Sequence, residues 1–378
     1  RGLVPTSTAS APTPMPILRT EGLDRIDEID VDERVATVEA GVPLTELHSQ
    51  LADRGLALAG AFPARWLADL GFPGFAMGTV GGLVCDPRES PCYPSRGRLR
   101  DQVLGLEAIR GDGTPFKAGG RVVKNVTGYD LTRLLVGSRG RLGVITRLHL
   151  RLESLPDVVV WASLDYPDDA TLFSALADVR LSGREPLLLA VDPHARRVLI
   201  ADAGRREVVY LQLGRLLERL ARPVENLIEM SGAMATLDDP GRESAPAGER
   251  RAERPATLRI RVRLPFRRWT SLIRALPLTR LDLEWESIHP FAHFGIARVE
   301  GEATTARQRF EDLRRVVVGH GGSAVAERWP SGDWNGDPFD DDRPSSAMLL
   351  HAIGTAWDPR RVLWGHRAPG ETSTEGGS

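Results

Sequence analysis

The chain has 378 residues, 42% of them hydrophobic and 26% charged, enough to bury a large core and to divide into two domains. Its formal net charge of -2, with no long basic block, gives no electrostatic footprint for nucleic acid. No apolar run reaches the roughly 18 to 20 residues that span a bilayer, and the start, Arg-Gly-Leu-Val-Pro, lacks the parts of a signal peptide; a cytoplasmic protein is expected, with peripheral attachment to a membrane left open.

Cys85 and Cys92 are too few for a disulfide framework or a four-thiolate metal centre, and no metal site is expected. Of 49 basic residues only Lys117 and Lys124 are lysines, a hint that Arg would not serve at those positions.

Residues 1–20 are rich in Pro, Thr, Ser and Ala and read as a loop. RVATVEAG (34–41) alternates as a strand does, and PLTELHSQLADRG (43–55) forms an amphipathic helix with Leu44, Leu47 and Leu51 on one face. GFPGFAMGTVGGLV (71–84) is a glycine-rich loop that allows close backbone approach to a flat or anionic group; a plain turn cluster explains it equally. RDQVLGLEAIRGDGTPFKAGG (100–120) has the pattern of a hairpin around Gly-Asp-Gly. YDLTRLLVGS (129–138) is a short helix, and GVITRLHLRL (143–152) is an alternating strand with His149 on its polar side.

After Pro156 the texture changes to strands and amphipathic helices without glycine clusters, as in VVVWASLDY (158–166), ATLFSALADVRL (170–181) and EVVYLQLG (207–214). Residues 238–256 read as a mobile surface loop, TLRIRVRL (257–264) as a strand, and AMLLHAIGTAWDP (347–359) as a helix stopped at Asp358-Pro359. A Gly/Ser/Thr tail from about residue 368 is expected to be disordered.

A P-loop and a G-x-G-x-x-G between strand and helix are both missing, as are H-E-x-x-H and G-x-S-x-G. What remains is a pair of glycine loops, MGTVGG (77–82) and GSRGRLGVI (137–145), each beside a strand and each able to present backbone N–H groups to a pyrophosphate. In ESIHPFAHFGIARV (286–299), His289, His293 and Arg298 lie close together; on a single strand the two histidines, four residues apart, would share a face. Such a face could hold a base, although two core-edge histidines account for it as well.

TVEAGVPLTELHSQLADRGLAL, GTVGGLV, RDQVLGLEAIRGDG, VVKNVTGYDLTRLLVGSRGRLGVIT and LHAIGTAWDPRRVL occur in the order found in FAD-binding PCMH-type flavoproteins of the vanillyl-alcohol oxidase superfamily. The chain most resembles the FAD-binding E subunit of glycolate oxidase, with FAD-linked D-lactate dehydrogenases as cousins. The match is dense from Arg34 to Pro156 and thin beyond it.

The resemblance implies an α+β fold: an FAD-binding domain over 1–156, truncated at its N-terminus, and a cap over 157–345 built on an antiparallel sheet with helices. A C-terminal segment over 346–367 would return to the FAD domain. It implies that Gly78, Thr79, Gly81 and Gly82 contact the FAD pyrophosphate or ribityl chain, that Asp86 to Glu89 approach the flavin, and that Gly140, Arg141, Gly143, Val144 and Ile145 line the ring and the adenine end. Lys124, Asn125, Tyr129 and Asp130 match the characteristic stretch, where a lysine would favour the anionic reduced flavin; a helix cap at Asp130 and a surface charge at Lys124 are the plain alternative.

Three departures stand out. Val4 and Pro5 interrupt the first phosphate loop, Arg141 replaces the usual Thr, and LWGHR (363–367) replaces Asn-Pro-Gly-Arg. The implied activity is oxidation of a small 2-hydroxy acid, glycolate or D-lactate, with His289, His293 and Arg298 as catalytic candidates and an electron acceptor or partner subunits beyond the chain. The alternative is a flavin-binding or scaffold subunit of a larger complex.

Overall fold

The computed structural model describes residues 18–58, 78–85, 92–121, 130–183, 185–192, 195–220, 226–231, 257–275, 283–300, 303–328, 352–360 and 362–363. The parts of the sequence reading that rest on 1–17, 59–77, 86–91, 122–129, 232–256 and 364–378 lie outside them. So do Lys124, Asn125, Tyr129 and the stretch from Asp86 to Glu89.

The first sheet is antiparallel, in the order β1 (Ile26–Asp30), β2 (Val35–Glu39), β6 (Val144–Ser154), β4 (Val103–Ile109), β5 (Pro115–Gly119), with β3 (Leu56–Leu58) also pairing β6. Strand alternation sends Ala36, Val38, Leu106, Leu148 and Leu150 to one face. There they meet Leu44, Leu47 and Leu51 of α1 (Leu44–Ala52). The opposite face is a charged lattice: Lys117 Nζ lies 2.6 Å from Glu107, and Arg147 reaches Asp27 at 2.8 Å and Glu107 at 3.3 Å. His149 belongs to it, half-buried, with Nδ1 3.0 Å from Thr37 Oγ1.

The chain passes to the second sheet between Ser154 and Val158. This sheet is eight-stranded and antiparallel, in the order β10 (Asn226–Ser231), β7 (Val158–Asp165), β9 (Arg197–Gly204), β8 (Leu188–Asp192), β12 (Leu283–His289), β13 (Phe294–Glu300), β11 (Thr257–Arg263), β14 (Ser323–Arg328). The helices α6 (Asp169–Leu181), α7 (Arg206–Leu220), α8 (Phe266–Ala275) and α9 (Ala303–Gly319) cover one face and contribute Leu172, Leu213, Trp269 and Leu313 to its core. Residues 207–214, rich in β-branched and aromatic side chains, lie within α7; burial of Val209, Leu213, Leu216 and Leu220 along one stripe outweighs their strand propensity.

The other face of this sheet turns towards the first sheet. Val159, Leu188, Ala190, Ala201, Phe294 and Ile296 join the same buried cluster as Leu47, Leu106 and Leu148, so the two sheets share one core. Ser95, on α3 (Tyr93–Arg96), adds a polar link by donating to the Leu187 carbonyl at 3.3 Å.

A last helix, α10 (352–357), packs on the β4–β5 hairpin. Trp357 meets Phe116 edge to face at 5.1 Å, and buried Asp358 accepts the N–H groups of Val362 and Leu363, each at 2.7 Å. Asp358 also occupies the space that a side chain at Gly111 would need, which accounts for a glycine in the Gly-Asp-Gly turn.

Candidate functional site

The two glycine loops are joined. In the first, Thr79 pairs with Pro43, and its side-chain oxygen accepts the N–H of Gly82 at 3.2 Å, starting α2 (Val80–Cys85). The carbonyls at the end of α2 then meet the second loop: Gly137 N–H donates to Val84 O at 3.0 Å and Arg139 N–H to Cys85 O at 2.9 Å. After the single turn α4 (Leu99–Gln102), short helix α5 (Leu131–Leu135) delivers the chain to that loop, and Asp130 caps it by accepting the N–H of Arg133 at 3.0 Å. At Asp130 the cap expected as the plain alternative is therefore present.

The amides of the first loop are not arranged as the sequence suggested. Val80 N–H is bound to Val42 O at 2.9 Å, Gly81 N–H to Ala40 O at 2.7 Å, and Gly82 N–H to Thr79. Gly81 is small for packing: a Cβ there would stand 2.7 Å from Ala40 Cβ. Gly143 is likewise pressed against Ile109 O, at 3.0 Å from where a Cβ would be. The edges are different. Gly78 and Gly140 hold φ of 129° and 77° and have open space where a side chain would point. Arg139 takes a left-handed φ of 55° just before Gly140, and Arg141 follows it, so the second loop carries two arginines. Val144 and Ile145 begin β6, with Ile145 buried in the core.

Open glycine edges on a loop that also carries arginines suit an anionic cofactor such as FAD. Residues 6–119 match the family described as FAD binding domain. The chain carries an FAD-binding domain of the PCMH type.

The flavoprotein's relatives agree with this assignment. It is 33% identical over 184 residues to a D-lactate dehydrogenase of Archaeoglobus fulgidus, covering 48% of this chain and 38% of the relative. It is 34% identical over 158 residues to the glycolate oxidase subunit GlcE of Escherichia coli, covering 42% and 41%. Against the glycolate oxidase subunit GlcD of Bacillus subtilis it is 23% identical over 380 residues, covering 92% and 78%. The chain thus spans about two fifths of the length of the first two relatives. A solved alkyldihydroxyacetonephosphate synthase shares the fold, with a TM-score of 0.62 at 15% identity over 90% of this chain and 66% of that one.

The face of the eight-stranded sheet that turns towards the first sheet holds two of the three catalytic candidates. His289 ends β12 with no exposure, its ring stacked on Phe294 at 4.9 Å. Burial lowers its pKa from 6.5 to about 3, against the upward pull of a backbone hydrogen bond at Leu189, so the imidazole is neutral at pH 7. Arg298, on β13, lies 2.9 Å from Glu284.

His293 is elsewhere. The expectation of one strand with both histidines on one face is corrected: residues 290–293 form a hairpin turn, because Pro290 ends β12 and His293 takes a φ of 57°. The exposed His293 ring accepts the N–H of Phe266 at 3.2 Å, at the start of α8. The imidazole completes a helix terminus.

Lys117 forms an ion pair with Glu107 on the outer sheet face. Among the described residues no cluster of three or more His, Cys, Asp or Glu could hold a metal ion, and no helix is long and apolar enough to cross a membrane.

Sequence reasoning missed Arg259, Arg261 and Arg263. They alternate with Leu258, Ile260, Val262 and Leu264, whose side chains go to the helix-covered core, so the three arginines stand on the same face as Phe294, Ile296 and Arg298. The alternation is visible in TLRIRVRL; what lies opposite it is not.

Proposed function

We propose that this flavoprotein oxidises a 2-hydroxy acid at the junction of the flavin domain and the cap. The observation that supports the reading is the hydrogen-bonded union of the two glycine loops through Val84 and Cys85, on the core shared by the two sheets. The names of the relatives, D-lactate dehydrogenase and glycolate oxidase subunits, support the substrate class. FAD, when bound, supplies the two-electron acceptor for a hydride.

In this reading the residues 78–82 and 137–145 hold the cofactor, with Gly78, Thr79, Gly140 and Arg141 at the edges and Gly81 and Gly143 packing the loops closely on Ala40 and Ile109. Arg298, steadied by Glu284, and Arg261 orient the substrate carboxylate through charge-assisted hydrogen bonds. His289, neutral at pH 7, accepts the hydroxyl proton as the C2 hydride leaves, giving the 2-oxo acid. His293 has no part in it.

The test is spectroscopic. The purified protein should carry an oxidised flavin spectrum that bleaches anaerobically on addition of D-lactate or glycolate, and a His289→Gln variant should keep the flavin and bleach at least about a hundredfold more slowly. A flavin that every 2-hydroxy acid leaves oxidised would refute the enzyme and favour a second reading. In that reading the protein is the flavin-holding subunit of a larger assembly, as the likeness to a glycolate oxidase subunit suggests.

A further inference from the structure

We infer that two copies of this chain associate through β10, an outer strand of the eight-stranded sheet, so that the two cap sheets run together as one antiparallel sheet. The inference does not depend on the oxidase reading above.

A strand at the edge of a sheet presents a row of unpaired backbone N–H and C=O groups, and proteins blunt such edges with bulges, proline, lysine or other charge. Among the described residues the two sheets end on β1, β5, β10 and β14. Three of these edges are blunted. β1 bulges between Ile26 and Glu28 and carries Asp27, Glu28 and Asp30. β5 opens on Pro115 and holds Lys117 in its middle. β14 shifts register where it passes Arg259 and Ile260. β10 has none of these devices. Its residues, NLIEMS, include no proline and no lysine, and they pair with β7 in an unbroken register from Asn226 opposite Ser163 to Ser231 opposite Val158.

The side chains make this edge adhesive. Leu227 is 50% exposed and Ile228 55%, on opposite faces of the strand. The charged residue of β10, Glu229, is drawn back onto α7, where it accepts the Tyr210 hydroxyl at 2.6 Å and meets Arg206 at 3.1 Å. A carboxylate neutralised in this way does little to repel an incoming strand.

Register identifies a second copy as the occupant. Directly opposed residues of an antiparallel pair lie on the same face, so a two-fold axis between two copies passes through a residue that faces itself. Two centres give the longest overlap. An axis at Glu229 overlaps residues 227–231 and sets one carboxylate against the other, which destabilises a sheet. An axis at Ile228 overlaps residues 226–230, sets Ile228 against Ile228, and places Leu227 across from Glu229 of the other copy, next to the exposed Tyr210 that holds it. This register pairs the outward backbone groups of both edges and takes Leu227 and Ile228 out of water. It also leaves no open β10 edge for a third copy, so the assembly closes as a dimer.

Sedimentation velocity on the full chain from about 1 to 100 µM tests this, with hydrogen exchange measured at both ends of the range. The inference expects the sedimentation coefficient to climb towards that of a dimer. Exchange in peptides covering 226–231 should slow about tenfold with concentration, while β1 and β14 stay as they were. Ile228→Lys places a charge at an exposed position; it should raise the dimer Kd at least about tenfold and leave the melting temperature of the monomer within about 2 °C. If circular dichroism shows that the Ile228→Lys protein is not folded, Leu227→Lys takes its place. A monomer at every concentration overturns the inference. So does a dimer whose β10 exchange is unchanged, or one that the lysine variant leaves intact, because either would use another surface.

Discussion

His289 provides a test that needs no substrate. Its folded pKa is depressed to about 3 by burial, against 6.5 when solvated, so the unfolded chain takes up a proton that the folded chain refuses. The contribution is fully present above pH 6.5 and is lost as pH falls through the window towards 3. Each pH unit inside that window removes about 1.4 kcal/mol, so lowering pH from 6.5 to about 5 should cost the fold about 2 kcal/mol from this residue alone. His48 on α1, also lowered by burial, to about 4, acts in the same direction. His289→Phe keeps a ring against Phe294 and removes the titration. Urea unfolding at several pH values, followed through the fluorescence of the Trp269 and Trp285 pair on the helix-covered side of the cap, should give a variant whose loss of stability between pH 6.5 and 5 is smaller than that of the wild type by about one proton's worth. Parallel losses in the two proteins would mean that His289 is solvated or already charged in the fold, and its assignment as a neutral base would go with it.

Further outcomes concern the glycine wall and its support. Gly81→Ala should destabilise the protein by about 1 to 3 kcal/mol, since the new methyl meets Ala40, whereas Gly82→Ala has room beside Thr79 and should leave stability unchanged or slightly raised; flavin lost from Gly82→Ala without a fall in melting temperature would place the cofactor at that helix turn, and flavin retained there would move it to the loop edges. Asp358→Ala leaves the amides of Val362 and Leu363 without their acceptor and should expose Trp357, read as a red shift and faster hydrogen exchange in the β4–β5 hairpin. Lys117→Arg should change neither flavin content nor melting temperature, because its ion pair with Glu107 is open to solvent on the lysine side; a measurable loss of flavin would show that Arg does not serve there.

Much of the flavin domain could be read directly. The Leu44, Leu47 and Leu51 stripe, the alternation in residues 34–41 and 143–152, and the Gly-Asp-Gly turn are local signals, and each is followed by its helix, strand or hairpin. The convergence of residues 77–82 and 137–145 was legible only as a spacing; that α2 would link them through its last carbonyls depends on pairing between β2 and β6, which no local pattern states. Gly81 and Gly143 show the limit plainly. A glycine required by a neighbouring strand and a glycine required by a ligand look alike in a sequence. The same holds for His293, where proline three residues earlier, rather than the spacing to His289, decides the geometry.

The seat of Asp358 over Gly111 binds a late segment to a hairpin made well before it in synthesis. On the ribosome, that hairpin must therefore wait with Phe116 uncovered until Trp357 and Asp358 have emerged. Loss of the segment 352–363 would be felt at the first sheet, across the whole length of the second.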